Sequence, residues 1–469
     1  MSILIADRKS LSPTDHVLVE KCESATPHEL NSETFSGFAH QDVLRRYLIW
    51  FPEGMPTGSS VVVASSRLNQ KLDEHSDWFN ALRTLAVQIS TESKFLITAT
   101  GTTTDRFVRR IAALFQIDCF NFKPFPAQPS ERWFEEQTRD KIKLTQQGDT
   151  KFGKHPKTAF FKLLQFDRDG EGEGVPTVDE ALISVAKTTV LLSVRSGGNI
   201  HKSTQHRLCD QPQSSTRLLI NRGLTKRKTE QALLESGATA WWVYEPPALA
   251  DKNTDQRRLS HPQSPILSVD EIQTENYLSH WTRRRAGPWP DQSTPEYLDD
   301  LIFQSSRRKH SELSALCRIL ASRKVLATNH LTRDERPVVC LSDLSLNLLP
   351  SQRVFRPHLS RWDFEPFGIA IGREVLEKLH ARPVLYGTEA DWQQLPDDQK
   401  PFFQLKKSKS EKIDWRLECE WRLIGDLGLD QIRHDQALVF VPSYEDAEVV
   451  SCLSNWPIVV LNENSPTMG

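Results

Sequence analysis

A chain of 469 residues exceeds what one hydrophobic core usually supports, because chains past roughly 250–300 residues divide, so two domains are expected. With 38% hydrophobic and 26% charged residues, the composition is that of a globular protein and excludes a wholly disordered one. Lys and Arg total 59 against 61 for Asp and Glu, a formal charge of -2, which excludes a global field recruiting nucleic acid or an anionic membrane.

Residues 1–9 carry neither a signal nor a transit pattern, and no apolar run approaches the roughly 20 residues that cross a bilayer, so no membrane partner is expected. Cys22, Cys119, Cys209, Cys317, Cys340, Cys419 and Cys452 form no Cys-x-x-Cys pair or metal-like spacing. They read as reduced thiols of a cytoplasmic protein without a metal site.

From residue 60 the chain alternates short β-branched runs with helical periodicity. The runs at 61–64, 95–98, 119–122, 189–194, 218–220 and 239–244 predict strands, and residues 77–90, 106–115, 178–186 and 225–236 predict amphipathic helices. Strands separated by helices imply an α/β domain with a mostly parallel sheet over residues 1–249. Residues 170–174, a Gly/Glu alternation, predict an exposed loop, and the Pro-rich polar stretch 250–272 predicts a linker. Beyond it, strands predicted around His280, Val338, Ile369, Val384, Glu420 and Val439, with a helix at 314–320, imply an α+β domain with a mainly antiparallel sheet over 273–469.

Two strand-to-helix junctions of the first domain carry the small and hydroxylated residues that let backbone N–H groups approach a phosphate. One runs from Thr100 and Gly101 to Asp105, where a helix cap alone also accounts for the composition. The other is Arg195-Ser196-Gly197-Gly198-Asn199, in which paired glycines permit a tight turn and Arg195 offers a guanidinium. Both are expected at the carboxyl edge of a parallel sheet, where open α/β sheets bind ligands. By pattern, residues 61–244 resemble the Rossmann-like nucleotide-sensing families related to DNA-processing and cytokinin-activating proteins, which carry a Gly-Gly turn after a central strand. The resemblance implies a nucleotide or other phosphate-bearing ligand. This sequence departs from those families in lacking their longer glycine-rich signature.

In the second domain the run Trp415-Arg416-Leu417-Glu418-Cys419-Glu420-Trp421-Arg422-Leu423 alternates apolar and charged residues, so one predicted strand face is core and the other carries two carboxylates between two guanidinium groups. Such a face is either a solvated sheet surface or a pair of carboxylates able to hold a ribose hydroxyl and orient a nucleophile. Upstream, Tyr277-Leu278-Ser279-His280-Trp281-Thr282 predicts an opening strand and Val338-Val339-Cys340-Leu341-Ser342 another. A His-aromatic-Thr strand, a strand closing in Leu-Ser and a late Trp-x-x-Glu-x-Glu-Trp-Arg segment resemble the ADP-ribosyltransferase superfamily in its broad sense, nearest to abortive-infection and toxin-like proteins. The resemblance covers roughly residues 276–449 and implies NAD as cofactor or substrate, with a protein or nucleic acid as acceptor. It places His280 on the ribose, Thr282 in support on the same strand, Ser342 on the second strand with Arg422 nearby, and Glu420 with Glu418 at the reacting centre. It departs from the family in offering no placed Tyr for nicotinamide, and residues 283–309 interrupt the usual strand-to-helix step. Two basic runs, 283–285 and 307–310, are candidates for phosphate contacts, though such runs usually face solvent. Two functions from different classes follow: an NAD-dependent ADP-ribosyl transfer or NAD cleavage of defence or toxin-like character, and a non-enzymatic nucleotide-sensing scaffold.

Overall fold

The computed structural model describes residues 2–4, 18, 38, 47–54, 56–137, 156–163, 177–211, 215–220, 223–243, 264–273, 275–329, 332–348, 354–356, 361–406 and 419–461. The chain divides into two compact units, Met1–Ala248 with Ser293–Arg308, and Leu249–Gln292 with Lys309–Gly469. No helix among the described residues is long and apolar enough to cross a membrane.

The N-terminal unit is built on one sheet of nine strands. In chain order its elements are β1 (Ser2–Leu4), β2 (Tyr47–Phe51), β3 (Ser59–Ser65), α1 (Ser76–Ser90), β4 (Lys94–Thr98), α2 (Asp105–Leu114), β5 (Cys119–Pro124), β6 (Lys157–Leu163), α3 (Val178–Val185), β7 (Thr188–Ser193), α4 (Asn199–Asp210), β8 (Ser215–Leu219), α5 (Arg227–Glu235) and β9 (Thr239–Trp241). The strand order is β1-β2-β6-β5-β4-β3-β7-β8-β9. Every pair from β6 to β9 is parallel, while β1 with β2 and β2 with β6 are antiparallel. The order reverses between β3 and β7, the arrangement of a doubly wound sheet. Alternation along the buried strands feeds two cores. Val62, Ala64, Ile97, Phe120 and Leu191 meet α3, α4 and α5, whereas Val61, Val63, Leu96, Val190 and Leu192 meet α1 and α2.

Segment 293–308, expected in the second domain, belongs to this first unit. Helix α6 (Thr294–Ile302) opens with a full capping box between Ser293 and Glu296 and buries Tyr297, Leu298, Leu301 and Ile302 in the core shared with α1 and α2. Arg110 fixes it by a two-pronged pair with Asp299, both bonds 2.6 Å.

The C-terminal unit holds an eight-stranded sheet. Its elements are β10 (Ile266–Ser268), β11 (Tyr277–Trp281), α7 (Glu312–Ser322), β12 (Lys324–Val325), β13 (Val338–Ser342), β14 (Val354–Arg356), β15 (Arg361–Asp363), β16 (Gly368–Gly372), α8 (Arg373–Lys378), β17 (Arg382–Pro383), β18 (Leu385–Gly387), α9 (Glu389–Gln394), β19 (Phe403–Leu405), β20 (Glu420–Ile424), β21 (Leu427–Gly428), β22 (Ala437–Val441), α10 (Tyr444–Ser451) and β23 (Ile458–Val460). The order is β10-β23-β22-β16-β11-β13-β20-β17, antiparallel from β22 onward and parallel in the two pairs that include β23. The mixed architecture expected from sequence is therefore present, one sheet mostly parallel and the other mostly antiparallel. The expected linker, 250–272, needs correction in its described part: residues 266–268 are strand β10, paired in register with β23, because Ile266 and Leu267 find sheet partners there. Residues 250–263 lie outside the described residues.

One close approach sets the centre of this sheet. A Cβ on Gly368 would lie 2.2 Å from the His280 carbonyl oxygen and 2.5 Å from the Phe440 ring, so only glycine lets β16 lie against β11 at that point.

Candidate functional site

Strand β11 delivers His280 and Thr282 to the wall of a cleft of about 710 Å³ in the C-terminal unit, a volume within the usual range for small-molecule sites. Arg283, Arg284 and Arg285 continue from the strand along the wall. Trp289 and Asp291 come from the loop that follows, Arg318 from α7 and Lys324 from β12. The lining thus holds five permanent cations and one carboxylate, and of the cations Lys324 also pairs with Asp426, outside the lining, at 3.5 Å. The run 283–285, which composition alone assigns to a solvated surface, is part of a concave lining.

His280 is held by its neighbours. Its Nδ1 lies 2.9 Å from the Cys340 carbonyl oxygen. A carbonyl only accepts, so Nδ1 carries the hydrogen in the neutral ring and Nε2 is left as an acceptor. Burial pushes the imidazole below its ordinary pKa, and the Arg283 charge pushes the same way against the opposing effect of the Cys340 hydrogen bond. Thr282 is buried and its hydroxyl donates to the Glu312 and Phe367 carbonyls at 2.9 and 3.2 Å, a use of the side chain that ties β11 to α7 and β16.

Within the cleft, Trp289 stacks on His310 at 4.4 Å between ring centroids, and His310 Nδ1 is 2.8 Å from the Gly287 carbonyl. The Arg318 guanidinium lies 5.7 Å over the Trp289 ring and donates to Asp291 Oδ2 at 2.5 Å. Arg285 donates to the Pro288 carbonyl. The Nε of Arg283 is buried without a hydrogen-bond partner among the described residues.

The carboxylate expected beside His280 is elsewhere. Directly opposed residues of antiparallel strands share a sheet face. Ser279 opposes Ser342 and Ser342 opposes Glu420, so these three form a row on one face, while His280 opposes Ile369 on the other. Glu420, Ser342 and Arg422 do not line the cleft. The face bearing Glu420 and Arg422 is also not a solvated surface: Arg422 is 1% exposed. Its Nε donates to Glu420 Oε1 at 2.9 Å, Nη1 to the Pro401 and Phe403 carbonyls at 2.9 and 3.1 Å, and Nη2 to Gln404 Oε1 at 2.9 Å. Glu420 is thus the counter-charge of a buried guanidinium that pins residues 401–404 over the sheet. Burial, followed by the Glu420 charge, pushes the neighbouring Cys340 thiol up to about 12, which leaves it protonated and inert. Cys419, expected to face the core, is exposed with a φ of 44°, so the regular strand begins only at Glu420. Glu418 lies outside the described residues.

In the N-terminal unit both predicted loops leave the same edge of the sheet, one after β4 and one after β7, on either side of β3. The first is internally satisfied. Thr98 and Arg109 donate to Asp105, Thr102 to the Ala99 carbonyl, Thr104 to the Val63 carbonyl, and the Thr100 N–H to Asn121 Oδ1. Asp105 is buried as an internal acceptor, not presented to a ligand. The second loop is open. Gly197 takes a left-handed φ of 70°, Gly198 caps α4 without a side-chain bond, and Arg195 and Asn199 are exposed. The Arg195 N–H donates to Ser66 Oγ at 2.8 Å, tying this loop to the end of β3 at the reversal of strand order.

Sequence reasoning did not single out Trp289, Asp291, Arg318 or Lys324. Their only sequence signal is proximity of Trp289 and Asp291 to the arginine run; Arg318 and Lys324 reach the cleft through tertiary packing.

No family model matches the chain, and no curated protein matches it. Among solved structures, DNA processing protein A from Helicobacter pylori, described for its single-stranded DNA binding mode, is similar over 45% of this chain and 88% of its own length, at 12% identity and a TM-score of 0.27. A likeness at that score carries no argument about this protein.

Proposed function

We propose that this protein is a nucleotide-binding protein whose C-terminal unit takes a phosphate-bearing, ring-containing ligand in the His280 cleft, with NAD as the first candidate. The observation that carries the reading is the lining of that cleft. Five cations against one carboxylate suit a pyrophosphate. The neutral His280 ring, with Nε2 as acceptor, suits a ribose hydroxyl. In the N-terminal unit the open Arg195–Asn199 turn is proposed as a second phosphate contact, at the reversal of strand order. The internally satisfied Thr100–Asp105 loop is its scaffold.

Direct titration of NAD and ADP-ribose into the full chain tests the reading. Saturable binding that Arg283→Glu weakens at least tenfold supports the C-terminal cleft. Binding insensitive to Arg283→Glu refutes it.

NAD-dependent ADP-ribosyl transfer or NAD cleavage is kept as a second reading, favoured by the Ser279–Ser342–Glu420 row. In such a step the bond between ribose and nicotinamide breaks, nicotinamide leaves with the electron pair, and water or an acceptor nucleophile bonds to the ribose carbon. A carboxylate stabilises the cationic ribose. Glu420 meets that requirement only if it leaves Arg422, which makes the binding role the better-supported one.

A further inference from the structure

We propose that Asp291 is an internal substitute for the ligand's phosphate, held on Arg318 until a phosphate displaces it. The inference rests on the nucleotide-binding reading above and adds to it where the anion sits and what it displaces. Arg318 is anchored from two sides, by the Trp289 ring beneath its guanidinium and by the carboxylate of Asp291 beside it. The ring is itself fixed, stacked on His310 and nearly buried, so Arg318 keeps its position when the carboxylate goes. Asp291 is the other kind of partner: its side chain is 50% exposed and it belongs to a loop rather than to the sheet.

The chemistry of the exchange follows from the two anions. A carboxylate brings one charge to the Arg318 fork, whereas a phosphate brings up to two charges and three oxygens, and the surrounding Arg283, Arg284, Arg285 and Lys324 favour the larger charge. The Arg318 guanidinium holds the Asp291 carboxyl below the ordinary carboxylate range, so the internal anion is present at every pH near neutrality. A neutral nucleoside gains nothing by displacing it. The pair therefore lowers the apparent affinity of phosphate-bearing ligands by a modest factor, because a solvent-exposed ion pair is weak.

The experiment is calorimetric titration of the full chain with inorganic pyrophosphate, NAD and adenosine. Asp291→Asn is expected to tighten pyrophosphate and NAD by about 2–5-fold and to leave adenosine unchanged. Asp291→Glu, which restores the carboxylate, returns the wild-type values. In an Arg318→Ala background the Asp291→Asn gain disappears, since the site of competition is gone. Wild-type binding that Asp291→Asn leaves unchanged or weakens overturns this inference while the cleft reading stands. No saturable binding of pyrophosphate or NAD by wild type or Asp291→Asn overturns both.

Discussion

Exchanging Glu420 for Gln removes the negative charge paired with Arg422 while keeping the side chain's shape, and so separates a structural carboxylate from a catalytic one. In the variant Arg422 keeps the carbonyls of Pro401 and Phe403 and the amide oxygen of Gln404, and loses the charge-assisted bond of 2.9 Å. Removing one partner of a buried ion pair costs about 3–5 kcal/mol. Glu420 is 14% exposed and three neutral acceptors remain, which brings the expected loss to about 2–3 kcal/mol. For a unit of this size each kcal/mol shifts melting by roughly 2–4 °C, so the C-terminal unit should melt about 5–10 °C lower. Thermal unfolding of Glu420→Gln, Arg422→Met and the double variant supplies the assay, with nicotinamide release from NAD measured on the same preparations. The double variant should lose less than the sum of the singles, because each single leaves a stranded polar group. A Glu420→Gln protein that melts within about 1 °C of wild type yet loses nicotinamide release would refute the structural role and restore the catalytic one.

His280 gives a pH signature. Its folded pKa lies below the ordinary 6.5, so above that value both states are neutral and nothing is gained or lost. As pH falls below 6.5 the unfolded chain takes up a proton that the folded one resists, and stability declines. Melting curves from pH 8 to 5 should be less steep in His280→Asn than in wild type, and parallel curves would contradict the burial of the ring. Gly368→Ala drives a methyl into the His280 carbonyl and the Phe440 ring, and should cost about 3 kcal/mol or more in urea unfolding of the C-terminal unit. Arg207, buried without a carboxylate partner among the described residues, donates to Thr216 and to the Ile183, Ala186 and Lys187 carbonyls, and burial lowers its pKa to about 10. Arg207→Lys cannot span those acceptors, so the N-terminal unit should lose about 2–4 kcal/mol; an unchanged urea midpoint would show the network to be dispensable.

The N-terminal sheet was readable because parallel strands covered on both faces are continuous apolar runs, and the amphipathic helices between them repeat at helical spacing. Strands β3, β4, β5, β7 and β8 lie within a few residues of their predicted runs. Strand β6 escaped because Lys157 and Lys162 at its ends dilute the apolar signal, and β2 because its apolar run Tyr47–Phe51 lies ahead of the strand-and-helix alternation that begins near residue 60. Helix α6 was not predicted, although the Ser293 to Glu296 box followed by Tyr297, Leu298, Leu301 and Ile302 marks it in the sequence. What that pattern does not encode is which core receives the stripe. An amphipathic face states that it must be buried, and the partner is decided by a pairing such as Arg110 with Asp299, 189 positions apart.

The same limit explains why the site shifted. Alternation in Glu420-Trp421-Arg422-Leu423 correctly puts Glu420 and Arg422 on one face, but whether that face meets water depends on residues 401–404, which close over it and whose carbonyls Arg422 needs. Charge on a strand face is read from local sequence as solvation because most such faces are solvated. Here the guanidinium's extra donors make burial tolerable, since each finds an acceptor and one carboxylate neutralises the charge. The cleft shows the converse. Arg283, Arg284 and Arg285 have the composition of a solvated run, and become a site because Trp289, Arg318 and Lys324 are brought against them from a loop, a helix and a strand that share no motif. A candidate built on one strand's alternation therefore found a structural ion pair, whereas the cationic cleft emerged from packing between elements that are distant in sequence.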